Sequence, residues 1–130
     1  EIARQEGAGL SLIHVYRPVA YLDDEPGLLG SSLPLSLEPT ILEGLETRLD
    51  KLGYELGKEF DLQNITTTIL TAVRVSEGIE SHIEEVNADL IVLGTRGRTG
   101  IKRLLLGTTA EAIIHHSSCS ALAVKPLDFA

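Results

Sequence analysis

The apolar positions change period several times along the chain, and each change marks an element. Leu10 to Tyr16, "LSLIHVY", is a short and mostly apolar run that predicts a strand. Ahead of it, "EIARQEGAG" reads as the last turn of a helix stopped by Gly7 and Gly9, which suit a C-cap. Pro18 to Pro34 mixes Gly, Pro, Ser and Asp without a period and is expected to be a long loop. Leu42, Leu45, Leu49 and Leu52 then recur at helical spacing, with Pro39 near the start, where its missing N–H costs little. That pattern predicts a helix from Glu38 to Leu56. "ITTTILTAV", Ile65 to Val73, is β-branched and predicts a second strand. Ile79, Ile83 and Val86 mark a short amphipathic helix, and "DLIVLG", Asp89 to Gly94, is apolar on both faces, as expected of a buried parallel strand. Ala110 to His116 continues as a helix, and "ALAVKP", Ala121 to Pro126, is the last strand. Such alternation predicts an α/β fold with a mostly parallel sheet, in a single domain over residues 1–130.

Charge and composition narrow the function classes. Lys and Arg number 11 against 19 Asp and Glu, a net charge of -8. That background repels nucleic acid and anionic membranes, so neither is an expected partner, and any anion must be held by a local exception. Cys119 stands alone, which rules out an intrachain disulfide and fits a reducing compartment. No apolar run approaches the roughly 20 residues needed to span a bilayer. A cytoplasmic setting is the expectation.

The local exception is "GTRGRTGIKRLLLGTTAEAI", Gly94 to Ile113. It starts where an apolar strand ends and stops where a helix begins, and open α/β sheets bind ligands outside the carboxyl ends of their strands. Thr108 to Glu111 reads T-T-A-E, a capping-box pattern that makes Thr108 the expected N-cap. The first N–H groups of the helix have no internal partners and carry the positive end of its dipole, which suits an anion. Gly107 has no Cβ to hold a phosphate away from the backbone. Between Asp89 and Glu111 lie Arg96, Arg98, Lys102 and Arg103 and no acidic residue, a +4 island in an acidic chain. The segment is neither a Walker A loop nor a G-x-G-x-x-G fingerprint.

These residues resemble the universal stress protein family, whose nucleotide-binding members carry G-x2-G-x9-G-[ST]. Gly94, Gly97 and Gly107 followed by Thr108 reproduce the spacing, and "NADLIVLG", "TAEAIIHHSSCSALAVKP" and "GAGLSLIHVY" are similar to the family's flanks. The resemblance implies an open five-stranded parallel sheet of order 3-2-1-4-5 with helices on both faces. It also implies bound ATP or AMP, with Mg²⁺ as an optional companion, and a homodimer through the edge strand Ala121 to Val124. Gly94, Gly97, Gly107, Thr108 and Thr109 would surround ribose and phosphates, with Arg96 and Arg98 beside them, while Val15 and Leu93 would line the adenine pocket. Where the family shows Gly-x-Pro before its third helix, this chain has Val73, Arg74 and Val75. The family's first strand, the centre of its sheet, ends in an Asp, and nothing upstream of Gly7 is long enough to be that strand. The expectation is a family member without its first strand, in which an upstream segment of this or another chain fills the central slot.

Other residues carry less. His14 is expected to be a hydrogen-bonded core histidine. His115 and Cys119 lie four apart, but Ser117 and Ser118 should end the helix between them, and no third ligand is in sight, so no metal site is assigned. His82, Glu80, Glu84 and Glu85 are expected on a solvated helix face. From Gly94 to Ala110 the segment offers glycines, threonines and cations but no carboxylate to place a metal or a nucleophile for phosphoryl transfer, and no catalytic residue is assigned. The reading favoured is a dimeric, nucleotide-responsive stress regulator. Its alternatives are a slow ATPase or phosphoryl- or adenylyl-transferase on the same site, or a nucleotide-free interaction module.

Overall fold

The computed structural model describes residues 1–18, 38–95 and 106–125. Two compact units, Glu1–Val73 and Arg74–Ala130, make up the chain, and each is built round one pair of parallel strands. The expected loop from Pro18 to Pro34 lies almost wholly outside the described residues.

In the first unit, α1 (Ile2–Glu6) stops where Gly7 turns left-handed, at φ 61° and ψ 27°. The N–H of Ala8 reaches back to the Ala3 carbonyl at 2.8 Å and that of Gly7 to Arg4 at 3.4 Å, so two of the helix's last carbonyls are satisfied. β1 (Leu10–Tyr16) and β2 (Ile65–Thr71) then pair in parallel, from Leu10 opposite Ile65 to Tyr16 opposite Thr71. Parallel neighbours need a crossover, and α2 (Glu38–Phe60) supplies it. The ladder's phase follows from its two ends: Leu10 N–H bonds the Asn64 carbonyl at 2.8 Å, and Ala72 N–H bonds the Tyr16 carbonyl at 3.1 Å. In a parallel ladder alternate residues face the partner. The backbone groups of Thr66, Thr68 and Leu70 therefore face β1, and those of Ile65, Thr67 and Ile69 face the opposite edge.

α2 lies close on this pair because Gly53 is buried against it. A Cβ there would stand 3.0 Å from Thr67 Cγ2 and 3.5 Å from Ile65 Cγ2. The helix runs four residues beyond the expected Leu56. Gly57 does not end it, because it too sits against β2, with the Ile65 side chain 3.4 Å from where its Cβ would be. The turn comes at Asp61, in the left-handed region at φ 52°.

The second unit runs α3 (Val75–Val86), β3 (Leu90–Gly94), α4 (Thr108–His116) and β4 (Ser120–Val124). β3 and β4 are parallel, with Leu90 opposite Ser120 and Gly94 opposite Val124. Ile83, Ala110 and the fully buried Ile113 form its core, where α3 meets α4. His82 belongs to that core at 7% exposure, contrary to the solvated face expected for it. It lies three residues after Ile79 and one before Ile83, so it falls inside the apolar stripe. Glu84 and Glu85 do face solvent. β3 also departs from expectation: Val92 is 57% exposed, and every residue of β4 is exposed. An apolar run marks a strand able to be covered on both faces, but the covering layer is a tertiary matter.

The α/β class and its parallel pairing are thus present. The described strands make two separate pairs, and the order 3-2-1-4-5 reaches beyond what those pairs specify.

Candidate functional site

The phosphate-binding candidate lies where β3 gives way to α4. Thr95, directly after Gly94, joins both strands and the helix: its N–H bonds the Val124 carbonyl at 3.1 Å, and its carbonyl accepts the Gly107 N–H at 3.1 Å. The two ends of the glycine segment are therefore held together at a closed neck. Leu93 and Gly94 on one side and Gly107, Thr108 and Thr109 on the other come to the same end of the unit. Thr95 was missed in the sequence, although its position beside the first glycine of the motif was the available signal.

The helix start differs from the expected capping box. Gly107, not Thr108, is the N-cap, with extended backbone at φ −62° and ψ 151°, and its carbonyl accepts the Glu111 N–H at 2.9 Å. Thr108 is already helical, which moves Glu111 one position too far along to complete the box. No side chain caps the helix. By helix geometry the N–H groups of Thr108, Thr109 and Ala110 lack intrahelical partners, and both threonines are exposed. Gly107 has a negative φ, so a glycine is not required there by backbone conformation. Its missing Cβ matters only if something must approach closely. Glu111, in the first turn, offsets part of the dipole's positive end, while His115 and His116 lie in the last turn.

Arg96, Gly97 and Arg98 lie outside the described residues, as do Lys102 and Arg103. Val15 is half-buried in β1, opposite Leu70, and Leu93 is half-buried in β3, opposite Ala123. Each is placed within its own unit. His14 is half-buried on β1. α4 ends at His116, so His115 and Cys119 do not share a helical face. Cys119 instead folds back on Ser117, its N–H 3.3 Å from the Ser117 Oγ.

The Universal stress protein family model matches residues 1–125. The chain belongs to the universal stress protein family. Over 85 residues it is 46% identical to Universal stress protein MJ0531 of Methanocaldococcus jannaschii, a match covering 64% of this chain and 46% of that protein. The matched region thus spans less than half of that relative's length. Universal stress protein A homolog 1 of Coxiella burnetii is 32% identical over 126 residues, covering 95% of this chain and 81% of its own. Among solved structures, a universal stress protein in complex with cAMP superposes with a TM-score of 0.64 at 19% identity, over 95% of this chain and 79% of that one. That likeness supports the α/β universal stress protein fold. Among the described residues no helix is long and apolar enough to cross a membrane.

Proposed function

We propose that this universal stress protein domain binds an adenine nucleotide, ATP or AMP, and that its occupancy modulates a stress response in the cytoplasm. The observation that carries the reading is the neck at Thr95, whose carbonyl holds the Gly107 N–H at 3.1 Å. It sets an uncapped helix N-terminus, a glycine without Cβ and two exposed threonines at the carboxyl end of a parallel strand pair. Those features fit a phosphate: the first-turn N–H groups donate to its oxygens, and the dipole favours its charge. The cAMP complex of the related structure supports a nucleotide as the ligand class.

In this reading Gly94, Gly97, Gly107, Thr108 and Thr109 surround ribose and phosphates, and Arg96 and Arg98 supply positive charge. Leu93, adjacent to Gly94, is the candidate for contact with the base, to be tested by its substitution. Mg²⁺ would enter with the nucleotide. The reading favours binding over turnover, because Gly94 to Ala110 carries no carboxylate to hold a metal or orient a nucleophile, and Glu111 is the first acidic residue after Asp89. The single domain over residues 1–130 and the homodimer through Ala121 to Val124 belong to the same reading.

The test is denaturing release of whatever copurifies with the intact protein, followed by chromatography and by calorimetric titration with ATP. An adenine nucleotide in the released fraction and saturable ATP binding are expected. Gly107→Val should abolish that binding while the protein still folds, because the branched side chain occupies the position a phosphate must reach. ATP binding equal to the parent's would place the phosphates elsewhere.

A further inference from the structure

A cavity of about 540 Å³ opens in the first unit between α2 and β2. Asp50, Tyr54 and Lys58 line it from the helix, Ile65 and Thr67 from the strand, and Asp61 from the turn between them. No residue of β1 contributes to the lining. The cavity therefore lies on the flank of α2 that faces away from β1, along the opposite edge of β2.

Ladder phase identifies what that edge presents. The backbone groups of Ile65, Thr67 and Ile69 turn away from β1, and among the described residues β2 pairs with β1 alone. Ile65 and Thr67 thus give the same place both their side chains and their outward N–H and C=O groups. Sheet edges are ordinarily guarded by Lys, Pro or a bulge. "ITTTILT" has no charged residue and no proline, and its register with β1 is unbroken over its seven residues. It is an edge built to accept a strand.

Charge selects the occupant. Asp50 and Asp61 face the cavity against one lysine, and the Lys58 ammonium lies 5.5 Å from the centre of the Tyr54 ring. Asp50 also accepts a hydrogen bond from the Thr67 hydroxyl, which fixes its carboxylate beside the edge. α2 ends at Phe60, so the negative end of its dipole adds to the two carboxylates. A second copy of this edge would bring the same carboxylates against each other. We propose that the edge of β2 and the flank of α2 form a docking groove for an extended, Lys- or Arg-bearing segment of another protein. The segment is added as a strand beside β2.

The experiment uses the intact protein and three capped heptapeptides: one alternating valine with lysine, its valine–glutamate counterpart, and the lysine peptide N-methylated at alternate amides. Fluorescence anisotropy measures affinity, and hydrogen exchange reads the amides of β2. The lysine peptide should bind at least on the order of tenfold more tightly than the glutamate peptide. It should also slow exchange at Thr67 and Ile69, whose N–H groups face the edge, more than at Thr66 and Thr68, which already bond β1. N-methylation should abolish binding. The pair Asp50→Asn and Asp61→Asn keeps the side-chain shapes and the left-handed turn, so it should erase the lysine preference without changing the melting curve. Equal binding of the lysine and glutamate peptides, binding without protection at Thr67 and Ile69, or no binding of the lysine peptide at millimolar concentration would each overturn the proposal.

Discussion

Three residues show how neighbours decide what a side chain does. Gly44 and Gly53 occupy the same helix, yet a Cβ on Gly44 meets nothing within 4 Å, whereas one on Gly53 meets Thr67 at 3.0 Å. Gly44→Ala should raise stability by about 0.5–1 kcal/mol, since alanine loses less backbone freedom on folding. Gly53→Val should lower it by about 1–3 kcal/mol, because helix and strand cannot separate without opening the core. Urea denaturation of both variants reads the opposite signs directly. Tyr16 is 9% exposed at the end of β1, and burial, then the negative charge of Glu38, pushes its hydroxyl above the usual value of 10.0. The neutral form is thus favoured in the folded chain. Stability from this source is complete below pH 10, where the unfolded tyrosine ionises, and is lost as pH rises through the folded value. Tyr16→Phe should flatten that alkaline loss in melts recorded from pH 9 to 11, roughly one unit either side of the reference value.

At the scale of elements, strand phase turns a vague expectation about β4 into a specific one. Thr95 N–H bonds the Val124 carbonyl, so the backbone groups of Ser120, Leu122 and Val124 face β3, and those of Ala121 and Ala123 face the outer edge. Ala123→Pro removes an outer donor and leaves the ladder to β3 intact, while Leu122→Pro breaks that ladder. If two copies pair through this edge, Ala123→Pro should give a monomer by light scattering with a nearly unchanged melt. Leu122→Pro should unfold at lower temperature. A dimer that survives Ala123→Pro would move the interface elsewhere. The element bounds themselves were largely legible. Leu10–Tyr16 is the strand its apolar run predicts, and Ile65–Thr71 and Leu90–Gly94 shift by one or two residues at an end. α2 and α3 were read short because leucine and isoleucine spacing marks only the apolar stripe. The polar residues Lys58 and Glu59, like Ser76 and Glu77, extend each helix beyond its stripe. The cap of α4 was misplaced because a T-x-x-E pattern fits any helix start, whereas its phase is set by the bond from Gly107 to Thr95.

For the whole molecule, the proposed nucleotide binding would be linked to folding. A ligand at about 100 times its Kd, binding only the folded chain, adds about 2.7 kcal/mol of stability. Saturating ATP should therefore raise the melting temperature of the parent and leave that of Gly107→Val unmoved. The rise should shrink as salt screens the basic segment of a chain whose net charge is -8. An equal rise in both proteins would separate the stabilisation from the glycine segment. The sequence by itself determined the alternation of strands and helices, the family and the place of the glycine motif. The alternation rests on period, and the motif and the family on residues that resemble a known pattern, all of which the chain carries locally. Only the tertiary structure decided that His82 faces inward, that Gly53 is crowded while Gly44 is free, and that Thr95 closes the neck. It also decided which backbone edge of β2 turns outward. These depend on which neighbour stands opposite a residue, and the parallel pairing of strands separated by a whole helix sets that neighbour. No local window of sequence contains both partners.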